Sequence, residues 1–280
     1  MSTLFGFVLV LTAAVLHATW NAWVKVATDR FVTFAVVSAT GALLYLPIAL
    51  WEGSPGASAI RFLVASGVIH VFYFSFLLFA YAHGDLGQVY PIARGVGPMV
   101  VAVFTVVTGL ERLSLAALGG ASLVSVGVMA LSSGAAQPAA RRAVRLALAT
   151  GLFIGAYTLA DGFGVRAARS ELGYIAWLHV AIGLPFASVV LVQRRRTLRA
   201  FLAQHGLRAA GAGCLATLAY SLVIWAMKSS KLAGVAALRE VSVLIAVWIG
   251  TAKLGEPFGA RRAVAAGVVV SGIAVLAFSR

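Results

Sequence analysis

The sequence predicts an all-α integral membrane protein with ten transmembrane helices, arranged as two inverted repeats of five helices each. Three observations support this prediction. The 280 residues are 61% hydrophobic and only 11% charged, with a mean hydropathy of +0.99, which is typical of a chain dissolved in lipid. Apolar runs of about 20 residues, the length that crosses a bilayer, recur along the whole chain. A degenerate repeat relates its two halves.

The repeat is clearest around two arginines in apolar surroundings. The stretch YAHGDLGQVYPIARGVGPMVVAVFTVVTGLERLSL contains Arg94, and the stretch AMKSSKLAGVAALREVSVLIAVWIGTAKLGEPFGA contains Arg239. In each stretch a glutamate, Glu111 or Glu256, follows the arginine by 17 residues. Two such units indicate an internal duplication.

The apolar runs form two groups of five. The polar segment SSGAAQPAARR separates them, so we expect a first repeat at 1–132, a linker at 133–142 and a second repeat at 143–280. The first run continues past any plausible cleavage point and no basic residue precedes it, so we interpret it as a membrane helix and not as a signal peptide. The predicted spans are 4–26, 31–51, 60–81, 86–110, 115–131, 143–164, 172–192, 207–227, 232–253 and 260–278.

An odd number of spans in each repeat means that the second repeat enters the membrane from the opposite side. Inverted repeats build sites near the bilayer midplane and expose them alternately to the two sides, which favours a transporter. The sequence has no P-loop, so an ATP-driven pump is not expected. The G-x-G-x-x-A spelling at 162–167 follows an apolar helix instead of a strand, so it does not predict a dinucleotide site.

The net charge of +14 comes from basic residues at the ends of apolar runs, which is typical of contacts with lipid headgroups and not with nucleic acid. Membrane lipids and a small-molecule substrate are the expected partners. Counted loop by loop, the basic residues place both termini outside, mostly because of one predicted loop, QRRRTLRAFLAQHGLR. A single cysteine, Cys214, and dispersed histidines predict neither a metal site nor a cofactor.

Charged residues inside the predicted spans are candidates for function because they are costly in lipid. Arg94 and Arg239 lie about 12 Å deep in spans four and nine, and inversion brings both near the midplane. An arginine fork in an apolar cavity binds carboxylate or phosphonate. Glu240 and Asp161 are the predicted carriers of a coupling proton, Glu240 the better one because Asp161 lies nearer a span end. An ion-pair network that only holds the halves together explains these charges equally well.

Polar and aromatic residues one helical turn apart extend this prediction. His17 and Asn21 form a stripe beside Trp20 in the first span, and Tyr157 repeats the spacing in the sixth. The predicted substrate-binding residues are Arg94, Tyr90, Arg239, His17, Asn21, Trp20 and Tyr157. Prolines and glycines around Arg94 predict either a broken fourth helix that lines a cavity or a helix bent to fit its neighbours. Local helix capping explains Glu111 and Glu256, with Ser114 and Pro257 at the helix starts.

The motifs LHATWNAWVK, YAHGDLGQVYPIARGVGPMV, GLERLS, AALREVSVLIAV and LGEPFG, in this order, resemble the EamA family of the drug/metabolite transporter (DMT) superfamily. The resemblance covers essentially the whole chain. It implies a ten-helix secondary transporter in a bacterial inner membrane, commonly an exporter of amino acids or related metabolites, and not an enzyme. The YPIARG form of span four resembles short bacterial members, some of them associated with phosphonate metabolism, which fits an anionic solute. Family members usually have cytoplasmic termini, contrary to the loop count.

Other function classes remain as alternatives. An integral-membrane enzyme or flippase acting on a lipid-linked substrate would need a cluster of His, Asp or Glu at one membrane face. A membrane scaffold would need none of the inner charges. Export of a cation would depend on Glu240 or Asp161 and not on Arg94. Two repeats in one chain can form a complete pathway, so both a monomer and a homodimer are compatible with the sequence.

Overall fold

The computed structural model describes residues 3–25, 29–83, 86–131, 140–254 and 259–278, and within these ranges the chain forms eleven α-helices and no β-strand. Most of each predicted span is helical in the described ranges. The helices are α1 (Thr3–Lys25), α2 (Arg30–Glu52), α3 (Ala57–His83), α4 (Leu86–Val107), α5 (Leu115–Ala130), α6 (Ala140–Ala167), α7 (Glu171–Gln193), α8 (Arg195–Ser229), α9 (Leu232–Leu238), α10 (Val241–Leu254) and α11 (Ala260–Phe278).

Seven helical segments in the described ranges are long and apolar enough to cross a membrane, so the chain is a multi-pass membrane protein. Three further apolar helices are shorter, with 10–17 residues. The seven segments are Arg30–Glu52, Ala57–His83, Val89–Val107, Arg141–Ala167, Glu171–Gln193, Arg195–Ser229 and Leu232–Ile249, and the shorter ones are Phe5–Asn21, Leu115–Ala130 and Ala263–Leu276.

The described chain divides into two compact units. Unit 1 contains Met1–Val71 and Ala160–Ser229, and unit 2 contains Phe72–Leu159 and Ser230–Arg280. In unit 1, α2 packs against α7 and α8, and α1 packs against α8; in unit 2, α4 packs against α5 and α9, and α5 packs against α11. Each unit therefore combines helices from both halves of the sequence. The division into repeats at 133–142 stays a prediction, and most of that linker lies outside the described residues.

Close approach of backbones holds α5 and α11 together in unit 2. A Cβ atom on Gly120 would lie 2.9 Å from the carbonyl oxygen of Gly272, and a Cβ on Gly272 would lie 2.7 Å from the carbonyl oxygen of Gly120. Small residues at such crossings let membrane helices gain dispersion contacts where lipid offers no hydrophobic drive.

The arginine-rich segment before the eighth span is helical, so the prediction of a loop there is wrong. Helix α8 begins at Arg195 and continues for 35 residues. Its first turns form an amphipathic stripe: Leu198 and the buried Phe201 pack against the start of α2 and the end of α7, whereas Arg196 and Arg199 are exposed. The apolar residues, spaced along one face of the helix, stabilise helical structure in this segment in spite of its many arginines.

The interrupted helix is the ninth span and not the fourth, so of the two alternatives for the fourth span the broken helix is wrong. Helix α4 continues through Pro91 and Pro98, and its glycines serve close packing instead. A Cβ on Gly95 would lie 2.6 Å from Cγ of Met129 on α5, and one on Gly97 would lie 2.6 Å from Cγ2 of Ile154 on α6. The ninth span divides into α9 and α10.

Candidate functional site

Arg94 and Glu240 form a buried ion pair in unit 2. Nη2 of Arg94 lies 2.8 Å from Oε1 of Glu240, and Nε of Arg94 donates to Oε2 over 3.1 Å. The two side chains are only 5% and 2% exposed. Two parallel contacts to one carboxylate are the strongest and most directional form of such a pair. Neither charge can be removed alone without leaving the other buried and uncompensated.

The interruption between α9 and α10 lies at Arg239 and Glu240. The amide of Glu240 donates to the carbonyl of Ala237, and the amide of Val243 donates to the carbonyl of Glu240 over 2.9 Å. These bonds link residues three apart, as in the tighter 3₁₀ turn, so the joint between α9 and α10 is a short tight turn. Arg239 is buried and lies within electrostatic range of Glu240. The joint therefore places a second arginine beside the ion pair.

Three tyrosines lie within electrostatic range of Arg94: Tyr73 of α3, Tyr90 of α4 and Tyr157 of α6. The rings of Tyr73 and Tyr157 make an edge-to-face contact with centroids 5.4 Å apart. Their hydroxyls can both donate and accept hydrogen bonds. The structure thus brings the predicted residues Tyr90, Tyr157 and Arg239 together with Arg94. The sequence analysis did not single out Tyr73, which lies in the aromatic run VFYFSF.

Two buried hydroxyls in unit 2, those of Ser125 and Ser242, have no hydrogen-bond partner among the described residues. Ser242 follows Glu240 by two positions. The backbone carbonyl of Ser125 lies 2.7 Å from the position that a Cβ on Gly95 would take, so α5 touches α4 next to Arg94. Buried hydroxyls are normally hydrogen-bonded. These two hydroxyl groups are available near the ion pair to form hydrogen bonds with a bound ligand or a water molecule.

Glu111 caps α9 and not its own neighbour α5, so the prediction of a local cap is wrong for this residue. Its Oε1 accepts from the amide of Leu232 over 2.6 Å, and its Oε2 accepts from the amide of Ala233 over 3.3 Å. The first amides of a helix lack internal partners, which makes them good donors to a carboxylate. The predicted cap of α5, Ser114, is confirmed. The corresponding prediction for Glu256 and Pro257 falls outside the described residues.

Asp161 lies in unit 1, where two tyrosine hydroxyls hold it. Tyr220 donates to Oδ2 over 2.5 Å and Tyr174 donates to Oδ1 over 3.2 Å. Each oxygen of the buried carboxylate therefore accepts a hydrogen bond from a neutral hydroxyl group. A side chain at Gly164 would collide with the hydroxyl and ring of Tyr174. Gly164, which belongs to the G-x-G-x-x-A spelling, thus leaves room for the tyrosine on Asp161.

The first-span residues His17, Trp20 and Asn21 make mainly local contacts in unit 1. Nε1 of Trp20 donates to Nδ1 of His17 over 3.2 Å, and Nδ2 of Asn21 donates to the carbonyl of His17 over 2.8 Å. Trp20 also packs edge-to-face on Phe34 of α2. Their role in a substrate pathway stays a prediction. Within the described ranges, no three His, Cys, Asp or Glu side chains are placed to hold a metal ion.

Comparison with known proteins identifies similarity of fold. No protein-family model matches the chain, and no curated protein matches it. Among 29 matching chains of solved structures, one described only as "Crystal structure of protein" superposes with a TM-score of 0.77 and 18% sequence identity, over 100% of this chain and 99% of that one. At this identity the likeness shows the fold alone.

Proposed function

We propose that this chain is a secondary transporter of a small anionic metabolite, with ten transmembrane helices in two inverted five-helix repeats. In this proposal it belongs to the EamA family, lies in a bacterial inner membrane and acts as an exporter. The observation that carries the proposal is the two-point ion pair between Arg94 and Glu240 at the interruption between α9 and α10.

An interrupted helix supports a transport site on physical grounds. Backbone that leaves the helical pattern at membrane depth is tolerated where it is buried in protein or lines a cavity. Transporters built from inverted repeats commonly form their substrate sites at discontinuous helices. Here the discontinuity carries Arg239 and Glu240, and Glu240 reaches Arg94 on a neighbouring helix. The buried charges of unit 2 thus gather at the joint between α9 and α10.

The geometry of the pair supports an anionic substrate. Glu240 occupies the fork of Arg94 as an internal carboxylate, and a carboxylate or phosphonate of the substrate presents the same two oxygens. Substrate binding at Arg94 then displaces Glu240 towards Arg239, so the buried arginine exchanges one anion for another. Because Glu240 lies on the joint, this exchange moves the joint. The tyrosine hydroxyls are available for the uncharged remainder of the substrate.

A cationic substrate fits this site less well. Arg94 and Arg239 both lie at the joint, so a positive ligand would meet two positive charges in a region of low polarizability. Two arginines with one glutamate favour a ligand that brings negative charge.

Flux through the purified protein in liposomes tests the proposal. A panel of amino acids, organic anions and phosphonates should include a transported anion, and Arg94→Ala should abolish its flux. Arg94→Lys should reduce it strongly, because an ammonium cannot form the two-point contact. Arg199→Ala is the matched control, since Arg199 is exposed on α8, and it should leave the flux unchanged.

A second variant separates loss of function from loss of fold. Arg94→Leu combined with Glu240→Leu removes both charges together, which membrane and soluble interiors tolerate better than the removal of one. This double variant should fold and fail to transport. Flux of neutral or cationic solutes alone, unaffected by Arg94→Ala, would contradict the proposal.

A further inference from the structure

Unit 1 contains a second group of buried titratable side chains. Asp161 of α6, His70 of α3 and His179 of α7 are 0%, 4% and 7% exposed. The ring of Tyr220, which donates to Asp161, makes edge-to-face contacts with both histidines, with centroids 6.1 and 6.3 Å apart. Titratable groups at this depth are costly and usually functional. Tyr220 therefore bonds the carboxylate through its hydroxyl and packs against the two imidazoles through its ring.

The hydrogen bonds define which nitrogen of His70 carries its proton. Nδ1 lies 2.8 Å from the carbonyl oxygen of Ser66. A carbonyl oxygen only accepts, so Nδ1 is the N–H donor. In the neutral ring, Nε2 is then the basic nitrogen, the atom at which His70 can take up a second proton.

The tautomer of His179 follows from Ser221. The hydroxyl of Ser221 donates its one hydrogen to the carbonyl of Thr217 over 2.8 Å. It therefore accepts from the hydroxyl of Tyr45 over 2.9 Å and from Nε2 of His179 over 3.0 Å. Nδ1 of neutral His179 is the basic nitrogen. A Cβ on Gly41 would lie 3.3 Å from it, so glycine keeps α2 clear of this atom.

The partners of Asp161 suit a carboxyl group that changes protonation. A tyrosine hydroxyl is both a donor and an acceptor, so Tyr174 or Tyr220 can keep its contact with a protonated Asp161 by reversing one hydrogen bond. Arg94 only donates, so a proton on Glu240 would break the ion pair and leave a buried guanidinium uncompensated. Of the two inner carboxylates, Asp161 takes a proton with less rearrangement.

We propose that Asp161 is the site at which the protein binds its coupling proton, with His70 and His179 as titratable groups that pack against the ring of Tyr220, a hydrogen-bond donor to Asp161. The inference rests on the proposed transport function and assigns its coupling ion. One proton from solvent is transferred to one carboxylate oxygen, and no other bond is made or broken. Among the described residues, titratable groups around this site include His70 of α3, Tyr174 and His179 of α7, Tyr220 of α8 and Tyr45 of α2, and the Lys228–Glu171 pair lies at the end of α8 and the start of α7.

Infrared difference spectroscopy across a pH jump tests the proposal with the proton itself as the probe. The purified full chain in detergent should show a carbonyl band of a protonated buried carboxyl group at low pH. Asp161→Asn, which keeps the shape of the side chain, should abolish this band, and Glu240→Gln should keep it. Tyr220→Phe should move the pH midpoint of the band. A band that survives Asp161→Asn, or disappears in Glu240→Gln, would overturn the assignment.

Flux in liposomes distinguishes this inference from the function on which it rests. A pH gradient should stimulate flux in the wild-type protein and no longer do so in Asp161→Asn, whereas the exposed-site control Arg199→Ala should keep the full response to the gradient. Anion flux that depends on Arg94 but responds neither to the gradient nor to Asp161→Asn would overturn the proton site and leave transport standing. An Asp161 band without any flux would support the proton site and count against transport.

Discussion

The carboxylate of Glu111 lies 2.6 Å from the backbone nitrogen of Leu232, the first residue of α9. Glu111 follows α4, the helix of Arg94, whereas Arg239 lies at the other end of the seven-residue helix α9. The segment after one arginine is therefore bonded to the start of the helix that leads to the other. In unit 2 this bond fixes where the joint of Arg239 and Glu240 lies with respect to α4.

Replacement of Glu111 by alanine should destabilise the protein by about 0.5–2 kcal/mol, the usual cost of a lost helix cap. Because α9 carries the joint, anion flux in liposomes should fall as well. Thermal unfolding in detergent measures the first effect. Ser114→Ala is the matched control, since Ser114 caps α5 in the ordinary way. It should cost similar stability and leave the flux unchanged, and an equal loss of flux in both variants would contradict a role for this bond at the joint.

Arg94 and Glu240 should be strongly coupled in a double-mutant cycle. Each single change to leucine leaves one buried charge uncompensated and should cost about 3–5 kcal/mol, whereas the double change should cost much less. Chemical denaturation in mixed micelles gives the free energies of unfolding. Additive effects of the two single changes would mean that the charges do not depend on each other.

Gly164→Ala should destabilise unit 1, because the new methyl group collides with Tyr174. Overpacking of this kind costs about 1–3 kcal/mol. Gly267→Ala on α11 is the matched control, since no heavy atom lies within 4 Å of its added Cβ. That change should be neutral or stabilise the helix by up to about 1 kcal/mol. Thermal unfolding compares the two, and similar midpoints would argue against the tight contact at Gly164.

Phe201→Ala should detach the first turns of α8 from α2 and α7, because Phe201 is the buried aromatic residue at that contact. Truncation of a buried phenylalanine costs about 3–5 kcal/mol. Leu202→Ala removes an exposed side chain from the same helical turn and should cost much less. Protease sensitivity of the arginine-rich turns reports the detachment directly. Equal sensitivity of the two variants would contradict the packing role of Phe201.

The sequence was sufficient to locate the helices and the inner charges. Runs of about 20 apolar residues are a strong signal because the bilayer thickness sets their length. Arg94 and Glu240 stand out because few charges occur in such runs. Their mutual pairing was one of several possibilities, since pairing depends on which helices become neighbours.

Other features of the structure are marked in the sequence only weakly or by patterns that predict the opposite. Neutral partners such as the tyrosines on Asp161 carry no charge pattern, so Tyr174 and Tyr220 were not identified. The helix is interrupted at Arg239, where no proline or glycine marks it, whereas α4 accommodates two prolines within its packing. The cap on α9 comes from a residue 121 positions away, and local sequence rules do not extend that far.

The separation of Arg94 from Glu240 has a consequence for biogenesis. Glu240 follows Arg94 by 146 residues, and ribosomes add about 5–20 residues per second. Arg94 is therefore synthesised roughly 7–30 s before its counter-ion exists. During that time the insertion machinery or water must accommodate its charge, because lipid cannot. Final burial of the fourth helix is expected to wait for the last quarter of the chain, so assembly in the membrane finishes late in translation.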